Sequence, residues 1–497
     1  MRWISPRDPL PTWGRWSAET PPRSGAVTLD QVRWRDCGGG SLAISSRTGG
    51  WAILEQDEAA ALRQVRRFED AGRWAPVVTA AWRRGLVSIA GVSVFSADEN
   101  AAAIEATRDY YSLVLLLNSG CNLVCSYCYL GHATPSPHRA MPLELARAAI
   151  LGALEQPWPT ILVDFGEIAV AGAAFRQLLP WAQRAAADRG KALRAAVQTN
   201  GTVLDEELAD FLCGNEVTVG ISLDGPRSLH DGARRFRSGA GSYGRVLAAI
   251  RRLTVRGVSV HLIATISRHN VASCRDVVCE LAAHGPSSTL LKPVLPEGEA
   301  AAAWDAQAIS EDEYAAFMAE AVRLADELGP DTLDQSAGKF LLRLLGDRSG
   351  WRDSCTSRAC GSGRSLHVIG ADGGVHACPR FVSGGPRLAA DGRQLLPLTV
   401  GKPASAARVS ALPDLLPPVL RAAPESCAGC SWLGSCGGGC TLVGQRGGEL
   451  TPMPDPHCAA YMAIHEALFA GLVPSFLAGR HATSTAFNGA RVEAVRA

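Results

Sequence analysis

Apolar and polar positions change rhythm several times along the 497 residues. Residues 1–30 carry Pro, Trp and Arg without a period and predict an irregular extension. From 31 to 100 the pattern tightens. SLAISS and GWAILEQ read as strands about the turn Thr48-Gly49-Gly50, DEAAALRQVRRFED and PVVTAAWRRG as helices, and LVSIAGVSVF as a short closing strand. This predicts a small, separate α+β unit.

Between 110 and 300 apolar strands alternate with amphipathic helices. The strands are SLVLLLN, TILVDFG, LRAAVQTN, VTVGISLD, VSVHLIATIS and STLLKPV, separated by helical runs such as PLELARAAILGALEQ and YGRVLAAIRRLTVRG. Strands apolar on both faces, each followed by a helix, predict an α/β architecture: a parallel sheet or partial (β/α)6 barrel resembling part of a TIM barrel. Its ligand site belongs at the strands' C-terminal ends. Two helices, EDEYAAFMAEAVRLADELG and SAGKFLLRLLGD, make a connection over 301–350. The stretch 351–475 is rich in Cys and Gly with little periodicity, so it needs staples other than an apolar core. A helix near AAYMAIHEALFAGL and a polar tail over 476–497 end the chain.

Charge changes this picture little. Lys and Arg number 49 against 48 Asp and Glu, which leaves no electrostatic footprint for nucleic acid or an anionic membrane. The opening MRWISPRDPLPTWGRW lacks a secretory apolar stretch, and no run reaches the ~18 apolar residues of a membrane span, so the expectation is a cytoplasmic protein. The 15 cysteines matter more. In a reducing compartment they point to metal or cluster ligation rather than disulfides.

Directly after the first strand of the repeat, NSGCNLVCSYCYLG sets Cys121, Cys125 and Cys128 in C-x3-C-x2-C spacing. Three thiolates on one loop can hold three irons of a [4Fe-4S] cube and leave the fourth open. A zinc site needs a fourth ligand, and His132 is the nearby candidate. The spacing, with the aromatic Tyr127 before the third Cys, resembles the signature of the radical S-adenosylmethionine (SAM) superfamily. That resemblance implies SAM chelated at the open iron and cleaved reductively to a 5′-deoxyadenosyl radical, with electrons from a flavodoxin or ferredoxin-type donor. Further elements are similar to those of the family. Gly166-Glu167 matches part of its Gly-Gly-Glu-Pro element, with Phe165 and Ile168 at the departing positions. Gln198-Thr199-Asn200-Gly201 and Ser222-Leu223-Asp224-Gly225-Pro226, followed by His230-Asp231 and Arg234, resemble peptide-modifying members related to anaerobic sulfatase maturases. The resemblance makes Tyr127, Gly166, Glu167, Asn200, Ser222, Asp224 and Arg234 candidate cofactor contacts. Turn chemistry at Asn-Gly and Asp-Gly-Pro explains part of the same pattern.

The C-terminal region holds Cys360, Gly373 and Cys378, then Cys427, Cys430, Cys436 and Cys440 in C-x2-C-x5-C-x3-C spacing, then Cys458. This resembles the SPASM extension of radical SAM enzymes, and Cys355 completes eight thiolates. The resemblance implies two auxiliary [4Fe-4S] clusters, three in all. It assigns Cys355, Cys360, Cys378 and Cys440 to the first and Cys427, Cys430, Cys436 and Cys458 to the second. Zinc ribbons are the competing explanation. Cys37, Cys213, Cys274 and Cys279 are left over and receive no chemistry.

The unit at 31–100 resembles a winged-helix-like module that binds leader peptides, in which a peptide strand can add to an exposed edge; the alternative is a cap on the barrel. Together these resemblances imply an enzyme that abstracts hydrogen from a ribosomally made precursor peptide or protein and installs a C–C or thioether crosslink. Formylglycine formation is the enzymatic alternative, set back by Pro379 where sulfatase maturases carry an Asp. A non-catalytic iron-sulfur or zinc peptide-binding protein is the other.

Overall fold

The computed structural model describes residues 20–37, 40–93, 110–130, 139–169, 171–344, 361–379, 382, 399–400, 424–440 and 455–479. Its N-terminal part departs from the simplest reading of the sequence. Strand β1 (Val27–Leu29) pairs antiparallel with β5 (Val87–Ile89), and β2 (Val32–Asp36), β3 (Ser41–Ser45) and β4 (Trp51–Leu54) form an antiparallel sheet in that order. β1 therefore lies inside the stretch expected to be irregular, and β2 was not anticipated. The helix Gln56–Gln64 opens with a reciprocal capping box between Glu55 and Glu58. It stops well short of the expected Asp70. Val27 N takes the Arg66 carbonyl at 2.7 Å and Arg67 bridges to Ala26, so pairing with the β1 segment outcompetes further helical bonds.

The two faces of the β2–β3–β4 sheet have different partners. Ala43, Ala52 and Leu54 pack with Leu62, Val78 and Trp82 in a small core of their own. Leu42, Ile44, Trp51 and Ile53 join the main core instead. Trp51 Nε1 donates to the Leu344 carbonyl at 2.7 Å, and its ring meets Phe469 edge-on at 4.9 Å. The unit is thus docked on later parts of the chain rather than merely linked to them.

The repeat from 110 to 300 forms as expected. β6 (Tyr110–Leu115), β7 (Thr160–Asp164), β8 (Ala192–Thr199), β9 (Thr218–Ser222), β10 (Val260–Ile266) and β11 (Ser288–Pro293) pair in sequence order, all parallel. The helices Leu143–Leu154, Gly172–Ala187, Glu206–Gly214, Tyr243–Thr254 and Cys274–Ala282 fall between them. Along β7, Ile161 and Val163 are fully buried while Thr160, Leu162 and Asp164 are partly exposed, so one face meets the helices and the other a more open interior. Phe165 replaces a glycine of the family element for a packing reason: it is buried against Phe175 of the following helix, centroids 5.0 Å apart.

The Cys-rich region is not wholly irregular. β12 (Leu366–Ile369) adds parallel to β6, with Leu366 opposite Ser112, and β13 (Val375–His376) and β14 (Thr399–Val400) extend the sheet antiparallel. Strands this short show no legible period. The capped helix Glu311–Leu328 packs along Cys458–Gly479, which closes the main core. Cys355, Cys360 and the tail beyond 479 lie outside the described residues. No helix among the described residues is long and apolar enough to cross a membrane.

Candidate functional site

Beyond β6 the chain turns into the loop that carries Cys121, Cys125 and Cys128. The loop is fastened along its length. Leu123 bridges to Phe236, Val124 N donates to the Arg235 carbonyl at 2.8 Å, and Ser126 N to the Ala233 carbonyl at 3.3 Å. At its far end the Cys128 carbonyl accepts from Glu299 N at 2.8 Å. Gly298, in the left-handed region at φ +54°, sits so close that a Cβ there would collide with the Cys128 and Tyr129 carbonyls. Leu123, Cys125 and Tyr127 pack with Ala233, Val294 and Ala300, and Cys121 and Cys128 border the same patch. Burial pushes the Cys125 thiol up to about 12, with Arg234 nearby opposing it.

The remaining candidates arrive from the next strand ends. Gly166, at φ +59°, begins the turn after β7, and a Cβ there would press on Leu116 at 3.1 Å. Its neighbour Glu167 is a junction: its carboxylate accepts from Thr199 Oγ1 at 2.6 Å, Asn200 N at 2.7 Å and Ala169 N at 2.8 Å. Burial raises its pKa and these donors oppose the rise. Asn200 Nδ2 in turn donates to Asn122 Oδ1 at 2.9 Å and lies 3.5 Å from Cys121 Sγ. The Leu123 amide also reaches that sulfur at 3.5 Å. Asn122 and Thr202 complete this network at 2.8 Å, a role sequence reasoning missed although both flank motif residues. Ser222 closes β9 and is buried. Asp224 follows, with Arg234 and Tyr127 both bonded to its carboxylate. All ten candidates of this site meet at one end of the parallel sheet.

The C-terminal cysteines rest on a different scaffold. Gly437, Gly438 and Gly439 all take positive φ, at 77°, 84° and 69°, and so wrap the chain between Cys436 and Cys440 in a way that side-chain-bearing residues resist. Asp455, missed by sequence reasoning, ties the loop down: it accepts from Cys440 N at 2.7 Å, from His457 N at 2.8 Å and from the Tyr461 hydroxyl at 3.1 Å. The Cys458 thiol lies within electrostatic reach of Cys430 and Cys427, and Cys436 within reach of Cys458; burial pushes them up to about 11 and about 12. Cys378 and Cys440 both border the main core, while their expected companions Cys355 and Cys360 fall outside the described residues.

Two observations bear on what such sites can hold. Trp432, between Cys430 and Cys436, is buried with an indole N–H that has no partner among the described residues, the kind of orphan donor a bound sulfide satisfies. Arg343, fully buried, donates to the Ser435 and Cys436 carbonyls at 3.1 Å each and sets positive charge beside the Cys436 thiol. Among the described residues no three His, Cys, Asp or Glu side chains converge on a point fit for one metal ion. A cube surrounds four irons with its thiolates and requires no such convergence.

Residues 115–278 match the model of the Radical SAM superfamily. The chain thus carries a Radical SAM domain over that span, and Cys121, Cys125, Cys128 and the strand-end residues described above lie inside it. It is related to the anaerobic sulfatase maturases. It is 26% identical over 305 residues to the serine-type anaerobic sulfatase-maturating enzyme of Bacteroides thetaiotaomicron, covering 55% of this chain and 70% of that one. With the Fe-coproporphyrin III synthase of Methanosarcina barkeri it shares 33% identity over 158 residues, 32% of this chain and 36% of the relative. Among solved structures, anSMEcpe with bound AdoMet and the Kp18Cys peptide superposes with a TM-score of 0.59 at 20% identity, covering 74% of this chain and 99% of the other. That likeness shows the fold.

Proposed function

We propose that the protein modifies a peptide or protein substrate by hydrogen abstraction and installs a C–C or thioether crosslink in a ribosomally made precursor. The observation that carries the radical chemistry is the meeting of Cys121, Cys125 and Cys128 with Glu167, Asn200 and Ser222 at the C-terminal ends of parallel strands. A [4Fe-4S] cluster on those thiolates would leave one iron open to SAM and supply the electron that cleaves it. The chain's own part is to bind and orient. Asn200 and the Leu123 amide direct N–H groups at Cys121. Glu167 has three of about four lone-pair sites filled, which leaves room for one further donor such as the SAM amino group. Ser222 stands on the adjacent strand for the carboxylate end.

Support for peptide substrates comes from the kinship with sulfatase-maturating enzymes. The same kinship favours formylglycine formation as the second reading, while Pro379 beside Cys378 favours crosslinking. In either case the eight C-terminal cysteines are proposed to hold two auxiliary clusters, for which the orphan Trp432 N–H is the local support. The β2 edge of the N-terminal sheet is the proposed docking strand for a leader segment, since β2 pairs only with β3 among the described residues and Arg33 on it is exposed. A flavodoxin or ferredoxin-type protein is the proposed donor.

The test is an anaerobic assay of reconstituted enzyme with SAM, reductant and a precursor peptide from a neighbouring reading frame. 5′-Deoxyadenosine should form and the peptide should lose two hydrogens without reacting with an aldehyde-trapping hydrazide. Hydrazide labelling would select formylglycine, and absence of 5′-deoxyadenosine would defeat both readings. N-methylating the leader's main chain should weaken binding about tenfold if it adds as a strand, because the main-chain bonds supply the affinity.

A further inference from the structure

Tyr127, Asp224 and Arg234 entered as candidate cofactor contacts, yet their side chains are turned on one another. Arg234 Nε donates to Asp224 Oδ2 at 2.8 Å and Nη2 to Oδ1 at 3.2 Å. The Tyr127 hydroxyl donates to the same Oδ2, and Thr265 N of β10 donates to Oδ1 at 3.0 Å. Four donors fill the roughly four lone-pair sites a carboxylate has, so Asp224 has no acceptor left for a cofactor. All three side chains are buried, with Tyr127 only 7% exposed, and the guanidinium carbon lies 5.3 Å from the centre of the Tyr127 ring.

The surroundings show what this arrangement fastens. Arg234 stands in the segment 233–236, whose main chain holds Leu123, Val124 and Ser126 of the cysteine loop. That segment is itself fixed from behind. His230 Nε2 meets Ser242 Oγ at 2.9 Å, Ser242 Oγ donates to the Arg234 carbonyl at 2.8 Å, and Asp224 N donates to His230 Nδ1 at 3.3 Å. Asn270 Nδ2 also holds the Asp224 carbonyl at 3.3 Å. The loop therefore hangs from β9 and β10 through one buried ion pair, and Tyr127, next to the third cysteine, is the link.

We infer that the side chains of Tyr127, Asp224 and Arg234 act as positioning groups: a buried lock that sets the cysteine loop against β9 and β10, with the Tyr127 hydroxyl and the Asp224 carboxylate spent on this lock rather than on SAM. This rests on the reading of Cys121, Cys125 and Cys128 as cluster ligands. It differs from that reading in predicting a rigid loop before any cluster is present. The ion pair itself is a weak source of net stability, since desolvation offsets much of its attraction, but breaking one side of it leaves a buried charge uncompensated. It specifies geometry instead.

Tyr127→Phe in the full-length protein is the cleanest probe, because it removes one hydroxyl and keeps the ring. Amide exchange, read by mass spectrometry on peptides covering 121–130, should become about tenfold faster in iron-free protein, as expected for losing a hydrogen bond to a charged group, while peptides of β7 and β8 stay unchanged. In reconstituted enzyme the kcat for 5′-deoxyadenosine formation should fall about tenfold with KM for SAM held within about threefold, the split expected of lost positioning rather than lost binding. Arg234→Lys, which keeps the charge and loses the fork, should move both readouts in the same direction and further. Unchanged exchange together with a tenfold rise in KM at constant kcat would overturn the lock and make Tyr127 a SAM contact. If wild-type reconstituted protein cleaves no SAM, the functional reading fails on its own, and the exchange measurement still decides whether the lock exists.

Discussion

The cysteine loop after β6 and the cysteine loop over 427–440 offer comparable thiols on unlike foundations. The first is laid on a parallel sheet with five covering helices, and main-chain bonds, an apolar patch and the Asp224–Arg234 pair hold it from every side. The second ends in three consecutive left-handed glycines before Cys440 and is held by Asp455, by Arg343 on the Ser435 and Cys436 carbonyls, and by the packing of Trp432 on His465. The difference teaches where a metal is a passenger in the fold and where it is part of the fold. A sheet that buries Leu113, Ile161, Val163, Val219 and Leu262 needs no cluster to persist. A glycine-rich wrap with few apolar contacts would gain much of its stability from the ligand bonds of the clusters proposed there.

The largest expected effect lies at the first loop. Replacing Cys121, Cys125 and Cys128 together by Ala should abolish reductive SAM cleavage, leave about eight irons bound, and change the circular dichroism spectrum little, because each of the two proposed auxiliary cubes would hold four irons. Residual 5′-deoxyadenosine production in the triple variant would break the comparison at its root. A smaller but broader effect belongs to the second loop. Cys436→Ala should leave SAM cleavage measurable, stop product formation, and open residues 424–479 to protease at least tenfold faster, the response of a region whose local stability is metal-linked. Treating the wild type with an iron chelator should reproduce that cleavage pattern and spare the β6–β11 repeat. Equal protection of both regions after iron removal would show that the glycine-rich loop stands without its ligands.

The N-terminal unit sharpens the comparison in another direction, because Trp51 and Arg35 lie against the C-terminal part. Arg35 pairs with Glu466 and lies over Trp432, 5.3 Å from the ring centre. Deleting the unit would expose a buried apolar face along with removing any docking strand. Trp51→Ala should therefore lower the stability of the Cys458–Gly479 helix by roughly 3–5 kcal/mol, as large core truncations do. The measurement is hydrogen exchange of that helix, and an unchanged rate would mean the contact with Leu344 and Phe469 adds nothing.

How much of this was legible in the sequence follows the same division. The six strands and the helices between them could be read because each is long enough to show its period, and the cysteine spacing because ligands to one cluster share a loop. The lock was legible only as a string of polar residues: nothing in Asp224, Arg234 and Tyr127, 107 residues apart at the extremes of 127 and 234, says that they turn toward one another rather than toward a ligand. β1 was missed because its pairing is settled by the distant strand Val87–Ile89, and β2 because Val-Arg-Trp-Arg-Asp is a largely charged and exposed edge strand with little apolar signal, although its partner β3 is the next strand. Asp455 was missed because a Pro-Asp-Pro stretch reads as a turn, and its role is visible only once Cys440 and Tyr461 come within reach.

The smallest effect separates the two regions by pH. Each contains one buried histidine, His230 beside the first loop and His465 beside the second, and burial holds both near a pKa of about 4. Their partners agree with neutral rings. His230 Nδ1 accepts from Asp224 N, so Nε2 carries the proton toward Ser242, while His465 Nδ1 donates to the Tyr461 carbonyl at 2.6 Å, so Nε2 accepts from Ser435. A proton added to either ring would set a donor against a donor or force a neighbour to turn. The unfolded chain takes up protons near pH 6.5 and the folded one near 4, so the stabilisation is complete above about 6.5 and is lost as pH falls toward about 4. Each histidine should cost about 1 kcal/mol by pH 5.5, a shift of a few degrees in thermal midpoint. If the glycine-rich region is the weaker one in iron-free protein, the first unfolding transition should carry the slope of His465 alone. His465→Gln should then flatten its pH dependence between 6.5 and 5, and His230→Asn should leave that transition unmoved and flatten only the later one. The reverse assignment would place the weaker foundation under the first loop.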